Sequence, residues 1–524
     1  MLIAHDLGTS GNKASLHSAD GRLLAAVTVG YPTSYAADTT SEQDPRDWWA
    51  AVTSATRQLL ASSGHTAAQV DGICVSGQMM GLVLLDAAGE PLRPAMIWSD
   101  QRAGTQAARL ASAVGEDRAY AITGHRIAAT YTLPKLLWVR DHEPATYERT
   151  RSVCVAKDYV NFKLTGRLVT DHSDASSTDA YDLAAGTWST ELLDAAGVDA
   201  ALWPEIVEST AVIGTLTASA AAELGLRPGT QVIAGGGDGP MASVGAGCIS
   251  PDSPGYVCLG TSAWYACVTT KPILDPEHRS FTFRHVIPGL FAPTATTQTG
   301  AGSLQWSAEA LAAPTRPGDP ARPGDPTRPA DPARLVEPVE TPAADIAELI
   351  AAAAEVAAAD EGLFFLPYLI GERSPWWDAN ASGVFAGLRM HHRRPHLTRA
   401  VLEGVGYSLA LCMAPLRGAN PSSGIDVIGG GAASDTWLGL LADIWGVPVR
   451  RRSVTTQANS LGAAVTGLVG LGLADFTLAP TLSQVEAEFA PGAGSASHAR
   501  HLARFADAYR ALRPWFNHTE EDAS

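Results

Sequence analysis

Short apolar runs punctuated by glycine alternate with longer segments of helical period along most of this chain. Residues 2–5 and 14–17 read as strands flanking a loop at 8–13. That order predicts a hairpin, whereas a P-loop would have a helix after its glycines. Residues 47–62 carry apolar positions at helical spacing, with Asp44 as cap and Pro45 in the first turn. A strand at 70–76 ends in Gly77, Gln78, Met79, Met80 and Gly81, and 82–85 is another. Strands and helices then alternate as far as Ile233, which enters Ala234, three glycines and Asp238-Gly239. After Gly247 the pattern restarts with strands at 255–259 and 263–269, so domains are expected at 1–246 and 247–524. The second half repeats the theme, with 426–428 leading into three glycines at 429–431 and a helix through Ile444. Two mixed α/β domains with a cleft between them account for this order.

The two halves share a more specific feature. The chain opens MLIAHDLGTSGNK, and GYVCLGTSAW follows later around Gly260, Thr261 and Ser262. In each, an apolar run ends in Gly-Thr-Ser, where glycine admits a close ligand and the hydroxyls and amides suit phosphate oxygens. The first copy also carries Asp6, an acid placed where the strand runs out. A duplicated nucleotide clamp performing phosphoryl transfer is the chemistry this pattern predicts.

Composition narrows the setting. The length of 524 residues fits two large domains, and 46% hydrophobic with 17% charged residues describes a globular chain. A net charge of −17 argues against a nucleic-acid partner. The six cysteines, none at CxxC spacing, indicate neither a zinc site nor a disulfide framework. The N-terminus enters a strand at once, without the pattern of a signal peptide, and no apolar run approaches the roughly 20 residues that cross a bilayer. A cytoplasmic protein without membrane association is expected. Residues 314–342 hold a degenerate proline repeat that can neither form a helix nor pair as a central strand, and so predict a solvated surface insertion.

Phosphoryl transfer needs acids and phosphate donors. Asp6 fits an acid that holds magnesium through water, and Asp238, after three glycines, fits a general base for an alcohol. A dinucleotide fingerprint fails at both glycine runs, because Pro240 and Ser434 stand where glycine or alanine is required. His391, His392 and His396 lie among Arg393 and Arg394, which would repel a cation, so a basic turn ahead of a helix at 397–413 is expected. Trp376 and Trp377 pack either at the cleft or on the core.

The motifs HDLGTSGNK (5–13), SEQDPRDWW (41–49), GQM (77–79), IWSDQR (97–102), LPKLLWV (133–139), KDYVNFKLTG (157–166), AGGGDG (234–239), LGTS (259–262), FLPYLIGERSP (365–375), GVFAGLRMHHRRPHLTRAVLE (383–403), IGGGAASDTW (428–437) and SLGAA (460–464) occur in that order. With them the chain resembles, along nearly its whole length, the FGGY carbohydrate kinases, and within these the xylulokinases. The resemblance implies two actin-like, ribonuclease-H-type α/β domains around an interdomain cleft, with sugar mainly on the first and ATP mainly on the second. It implies Asp238 as catalytic base and Asp6 and Asp238 around Mg2+. Thr9, Ser10, Asn12 and Lys13 would form the first phosphate loop, and Gly260, Thr261 and Ser262 the second. Gly430, Gly431 and Asp435 would line the nucleotide pocket, and Gln78, Met79, Trp98 and Asp100 would face the sugar beside Asp238. A homodimer is a family expectation.

Two positions depart from the xylulokinase pattern. Met80 stands where these kinases usually have histidine, and Gly239 where they have asparagine, both in the sugar-contacting set. Losing two polar partners weakens a site by roughly 1–3 kcal/mol each. Trp264, directly after the second loop, is a third deviation. The expected acceptor is therefore a ketopentose such as D-xylulose or another small alcohol: a different ketose, a tetritol, glycerol or a sugar acid. An actin- or chaperone-like ATPase without a sugar substrate is the alternative from another class.

Overall fold

A computed structural model of the chain describes residues 1–36, 39–311, 343–418, 420 and 423–518; the proline-rich insertion expected at 314–342 lies outside them. Two large sheets organise the fold. The first runs Val212–Thr215, Gln231–Gly237, Gly72–Gly77, Leu2–Leu7, Gly11–His17, Leu23–Gly30. Its neighbours pair antiparallel, parallel, parallel, antiparallel and antiparallel in that order. The second runs Val485–Phe489, Val449–Arg452, Ile425–Ile428, Tyr256–Leu259, Ala263–Ala266, Phe291–Thr297, and repeats the same succession of senses. Phe281–Arg284 adds a further antiparallel strand at that edge. Each half is thus one copy of a single plan, and each Gly-Thr-Ser follows the central strand of its copy.

Local sequence explains the elements that carry the site. Leu2–Leu7 is buried on both faces, as a central strand flanked by two neighbours must be. It extends through Leu7, so Asp6 belongs to the strand and not to the turn after it. The expected loop shrinks to 8–10, and Asn12 and Lys13 become strand residues opposite Leu7 and Asp6. Pro45–Ser63 is a helix whose cap, Asp44, accepts a bond from the Arg46 amide. Its Trp48, Val52, Ala55 and Leu59 recur at helical spacing and pack on the sheet.

The helix expected at 397–413 runs Arg394–Arg417. It is long and apolar enough by composition to cross a bilayer, yet most of it lies inside the second domain, where Val401, Val405, Leu409 and Met413 join the main core. It is a core helix.

The two halves meet through the helices Asp238–Gly245 and Ala458–Gly470. A Cβ on Gly245 would lie 1.9 Å from the Ala458 carbonyl, and one on Gly462 2.0 Å from that of Met241. Leu2, Ala4, Cys74 and Ile233 from the first sheet pack with Leu461, Ala464, Val465 and Leu468 in one cluster around this crossing. Gly462→Ala should therefore destabilise the protein by about 1–3 kcal/mol, read as a lower denaturant midpoint. Gly439→Ala, in a helix where a Cβ meets nothing within 4 Å, should shift the midpoint upward instead, by up to ~1 kcal/mol.

Candidate active site

Asp6 and Asp238 stand at the same edge of the first sheet. Asp6 is in register with Ser76, and Ser76 with Gly236, two residues before Asp238. Only 4% of Asp6 is exposed; Ser76 Oγ donates to its Oδ1 at 3.3 Å, and Asn459 Nδ2, from the second half, approaches at 3.5 Å. Burial raises the pKa of Asp6 against the opposing pull of Lys13, Asn459 and Ser76. Asp238 opens its helix and accepts the Gly239 amide at 2.8 Å. Burial first, and the charge of Asp6 second, push its pKa up to about 7. The charge of Asp6 thus makes ionisation of Asp238 harder, as a nearby carboxylate does.

The turn into Asp238 is built by the KDYVN and DHSDAS segments. Gly235 has φ +71°, and a Cβ there would lie 1.9 Å from the Val75 carbonyl, so the strand bulges where its ladder shifts between Ile233 and Gly236. Neighbours take the freed backbone groups: Asn161 Nδ2 donates to Ala234 O (2.7 Å), Gly235 N–H to Ser209 O (2.9 Å), and Gly237 N–H to Ser173 Oγ (2.9 Å). Ser173 Oγ in turn donates to Asp171 (2.6 Å). Behind it the buried Lys157 ammonium meets Asp158, Asp171 and Asp174 at 2.7, 3.3 and 3.4 Å. Burial opposes the charge of Lys157, but the three acids outweigh it and its pKa is raised.

On the first-domain side, Gln78 Nε2 donates to Gln43 Oε1 (2.7 Å), which also accepts from Trp48 Nε1 (2.9 Å). Gln78 Oε1 is buried with no partner, leaving an acceptor in place for a hydroxyl. Trp98 Nε1 donates to Thr9 Oγ1 at 2.9 Å, which ties the first Gly-Thr-Ser to the same wall. Met79 packs against Gly237, where a Cβ would come within 2.6 Å of its Cγ. Met80, at φ +66°, joins Met79, Tyr131, Phe281, Phe283, Trp98 and Trp377 in a mostly aromatic cluster. Of the adjacent tryptophans, Trp377 enters this wall, whereas Trp376 stacks on Tyr509 with centroids 4.2 Å apart and bonds Tyr368 in the second-domain core. Asp100 is fully buried, its oxygens committed to Arg102 and the Ser41 amide, so it shapes this wall instead of presenting a free carboxylate. Gly239 has room beside it, a Cβ there meeting only Met79 Sδ at 3.7 Å.

On the other side a cavity of about 650 Å³ lies in the second domain, lined by Gly260, Thr261, Gly430, Gly431, Leu304, Ile350, Ser434, Thr436 and Trp437, among others. Its size suits a nucleoside. Trp264 lies on the path between the two regions: its Nε1 donates to Tyr256 Oη, which donates to the Gly239 carbonyl, each at 3.3 Å.

Residues 1–245 match the N-terminal domain of the FGGY family of carbohydrate kinases, and 255–471 its C-terminal domain. The chain belongs to this family. A xylulose kinase of Escherichia coli K12 is 34% identical over 466 residues, 88% of this chain and 89% of the relative. The crystal structure of a ligand-bound xylulose kinase from Lactobacillus acidophilus superposes with a TM-score of 0.87 at 26% identity, covering 98% of each chain. A gluconate kinase structure from the same organism does so with the same score, identity and coverage. The chain is therefore an ATP-dependent, xylulokinase-like sugar kinase with the two-domain FGGY fold.

Against that identity, two expected ligands are corrected. Asn12 is fully buried and bonds His5 and the Ala51 carbonyl. Opposite Leu7 in the ladder, it faces the helix and not the cleft, while its neighbour Lys13 is exposed on the side of Asp6. Asp435 is exposed and pairs with Arg451, and it is Ser434 and Thr436 on either side that line the cavity. Thr9, Ser10 and Ser262 occupy the turns expected of them. Sequence reasoning missed Gln43, Tyr131, Phe281, Phe283 and Asn459, whose only signal was membership of longer motifs or none at all.

His391, His392 and His396 converge on Glu361, with His391 Nε2 2.7 Å from its Oε2. The Arg389 and Arg393 amides donate to Nδ1 of His392 and His396. Nε2 of His392 and His396 stands 3.4 and 3.8 Å from the Glu361 carboxylate. In the active site, Ser173→Ala removes the acceptor of Gly237 N–H, and kcat should fall about tenfold with both KM values within twofold of wild type.

Proposed function

We propose that the enzyme transfers the γ-phosphoryl group of ATP to a terminal hydroxyl of a small sugar, a ketopentose such as D-xylulose, with Asp238 as general base. The observation that carries this is Asp238: a carboxylate at a glycine-cleared strand end, with a pKa near neutrality, between the unpartnered Gln78 Oε1 and the nucleotide half. The hydroxyl oxygen attacks phosphorus in line, the bond from phosphorus to the β,γ-bridging oxygen breaks, ADP leaves, and the hydroxyl proton passes to Asp238. The Gly-Thr-Ser turns supply donors for phosphate oxygens, and closure of the cleft keeps water from competing as acceptor. A cytoplasmic setting fits six free thiols, five of them buried.

The donor set also fits magnesium. Two neighbouring carboxylates, Asp6 raised in pKa by burial and Asp238 by burial and the charge of Asp6, form a site that a hydrated divalent cation relieves. Asp6 and Asp238 would hold it, and it would supply charge neutralisation at the phosphates.

A second reading keeps the reaction and changes the acceptor. The aromatic setting of Met80 and the empty space at Gly239 favour it, since both alter what the acceptor's hydroxyls meet. ADP release measured with Mg2+-ATP over ketopentoses, other ketoses, polyols and sugar acids separates the two. Highest kcat/KM with D-xylulose supports the first reading, and a clear preference for another acceptor replaces it with the second. Asp238→Ala should lower kcat by about 10²–10⁴-fold and leave ATP affinity within twofold; near-normal turnover would overturn the role of Asp238. As a base must be ionised, kcat/KM for the acceptor should fall tenfold per pH unit on the acid side. The midpoint should lie no higher than about 7, because a bound cation favours the carboxylate.

A further inference from the structure

Lys135, in the first turns of the helix Thr132–His142, is fully buried. Among the described residues no carboxylate lies within 4.0 Å of its ammonium. Its three N–H bonds go instead to the main-chain carbonyls of Met80 (3.0 Å), Ile97 (2.7 Å) and Thr130 (2.5 Å). An ammonium has three donors and no acceptor, so the set is complete. The three carbonyls belong to three separate segments. Met80 carries the positive φ of the Gln78–Gly81 turn, Ile97 precedes Trp98, and Thr130 precedes Tyr131. Each of those neighbours lies in the acceptor wall.

We propose that Lys135 is a positioning residue for the acceptor: its ammonium pins these three segments in one arrangement, and acceptor affinity and selectivity depend on all three bonds. The inference rests on the reading that the acceptor binds against Gln78, Met80 and Trp98. Only the protonated amine can make three bonds, because the neutral amine has two N–H groups and turns a lone pair toward the third carbonyl. Burial lowers the pKa of Lys135 to about 7; Asp100 and Asp179 oppose the shift, and Arg102 and Arg373 add to it. Those four charges face it, with Glu42 behind Arg102 and His125 behind Asp179. A group lowered in this way is charged below its pKa and loses its charge above it. The third bond is therefore present at acid pH, half lost near pH 7 and absent on the alkaline side, opposite to the limb expected from Asp238.

The test compares wild type, Lys135→Met and Gln78→Ala over the same acceptor panel between pH 6 and 9. Wild-type KM for the preferred acceptor should rise severalfold above pH ~7.5 while KM for ATP stays flat. Lys135→Met should raise the acceptor KM at least tenfold, narrow the gap between preferred and second acceptors, abolish the alkaline rise, and leave KM for ATP within twofold. An unchanged acceptor KM and ranking in a folded Lys135→Met variant overturns the proposal. A flat wild-type acceptor KM from pH 6 to 9 does so even if that variant fails to fold. Gln78→Ala separates the two levels: if it leaves the acceptor KM unchanged, the acceptor is not at this wall and the functional reading itself fails. If Gln78→Ala raises KM and Lys135→Met does not, only the role of Lys135 is lost.

Discussion

The crossing of Asp238–Gly245 with Ala458–Gly470 is the contact on which the rest of the site depends. Gly245 and Gly462 bring backbone against backbone, closer than any side chain would allow. Asp238 opens one of these helices, and Asn459, which reaches Asp6, stands in the first turn of the other. The depth of the crossing therefore sets how near the second domain comes to the two acids. Leu2 and Cys74 pack under the same helix, against Gly467, so the first sheet is registered to the second domain by the same contact. A packed core has discrete arrangements and few intermediate ones, which suits a catalytic geometry shared between two domains.

Burial of charge is the second organising constraint, and two lysines meet it in opposite ways. Lys157 is surrounded by three carboxylates, and its pKa is raised. Lys135 bonds three main-chain carbonyls, and burial, opposed by the more distant Asp100 and Asp179, lowers its pKa to about 7. The first stabilises a fixed charge behind the turn that presents Asp238. The second leaves a group poised near neutrality behind the wall of Gln78, Met80 and Trp98. In both cases a polar side chain satisfies backbone or acids that the glycine-rich turns free from the sheet ladders, as buried polar groups require.

Much of this was legible in local pattern. The opening hairpin, the capped helix at Pro45, and the strands running into Gly77 and Gly237 all follow from apolar runs and glycine placement within a few residues. Asp6 and Asp238 stand out in the sequence because each lies beside glycines at the end of such a run. Asn12 misled, because its membership of a phosphate-like motif says nothing about which way it faces. One step of strand register puts Lys13 toward the cleft and Asn12 toward the helix. Asp435 misled in the same manner, since helical rotation turns it to Arg451 while Ser434 and Thr436 reach the cavity.

The sequence by itself therefore determined the elements, the duplicated Gly-Thr-Ser turns, the family and the class of chemistry, because each is written in short-range patterns or in the order of motifs. Only the tertiary structure decided which of two adjacent residues faces the site, as with Trp376 and Trp377, and which distant residues meet there, as with Gln43, Asn459 and Lys135. Those contacts join positions far apart along the chain, and their geometry is set by sheet register and by the close passage of two helices, neither of which any local segment encodes.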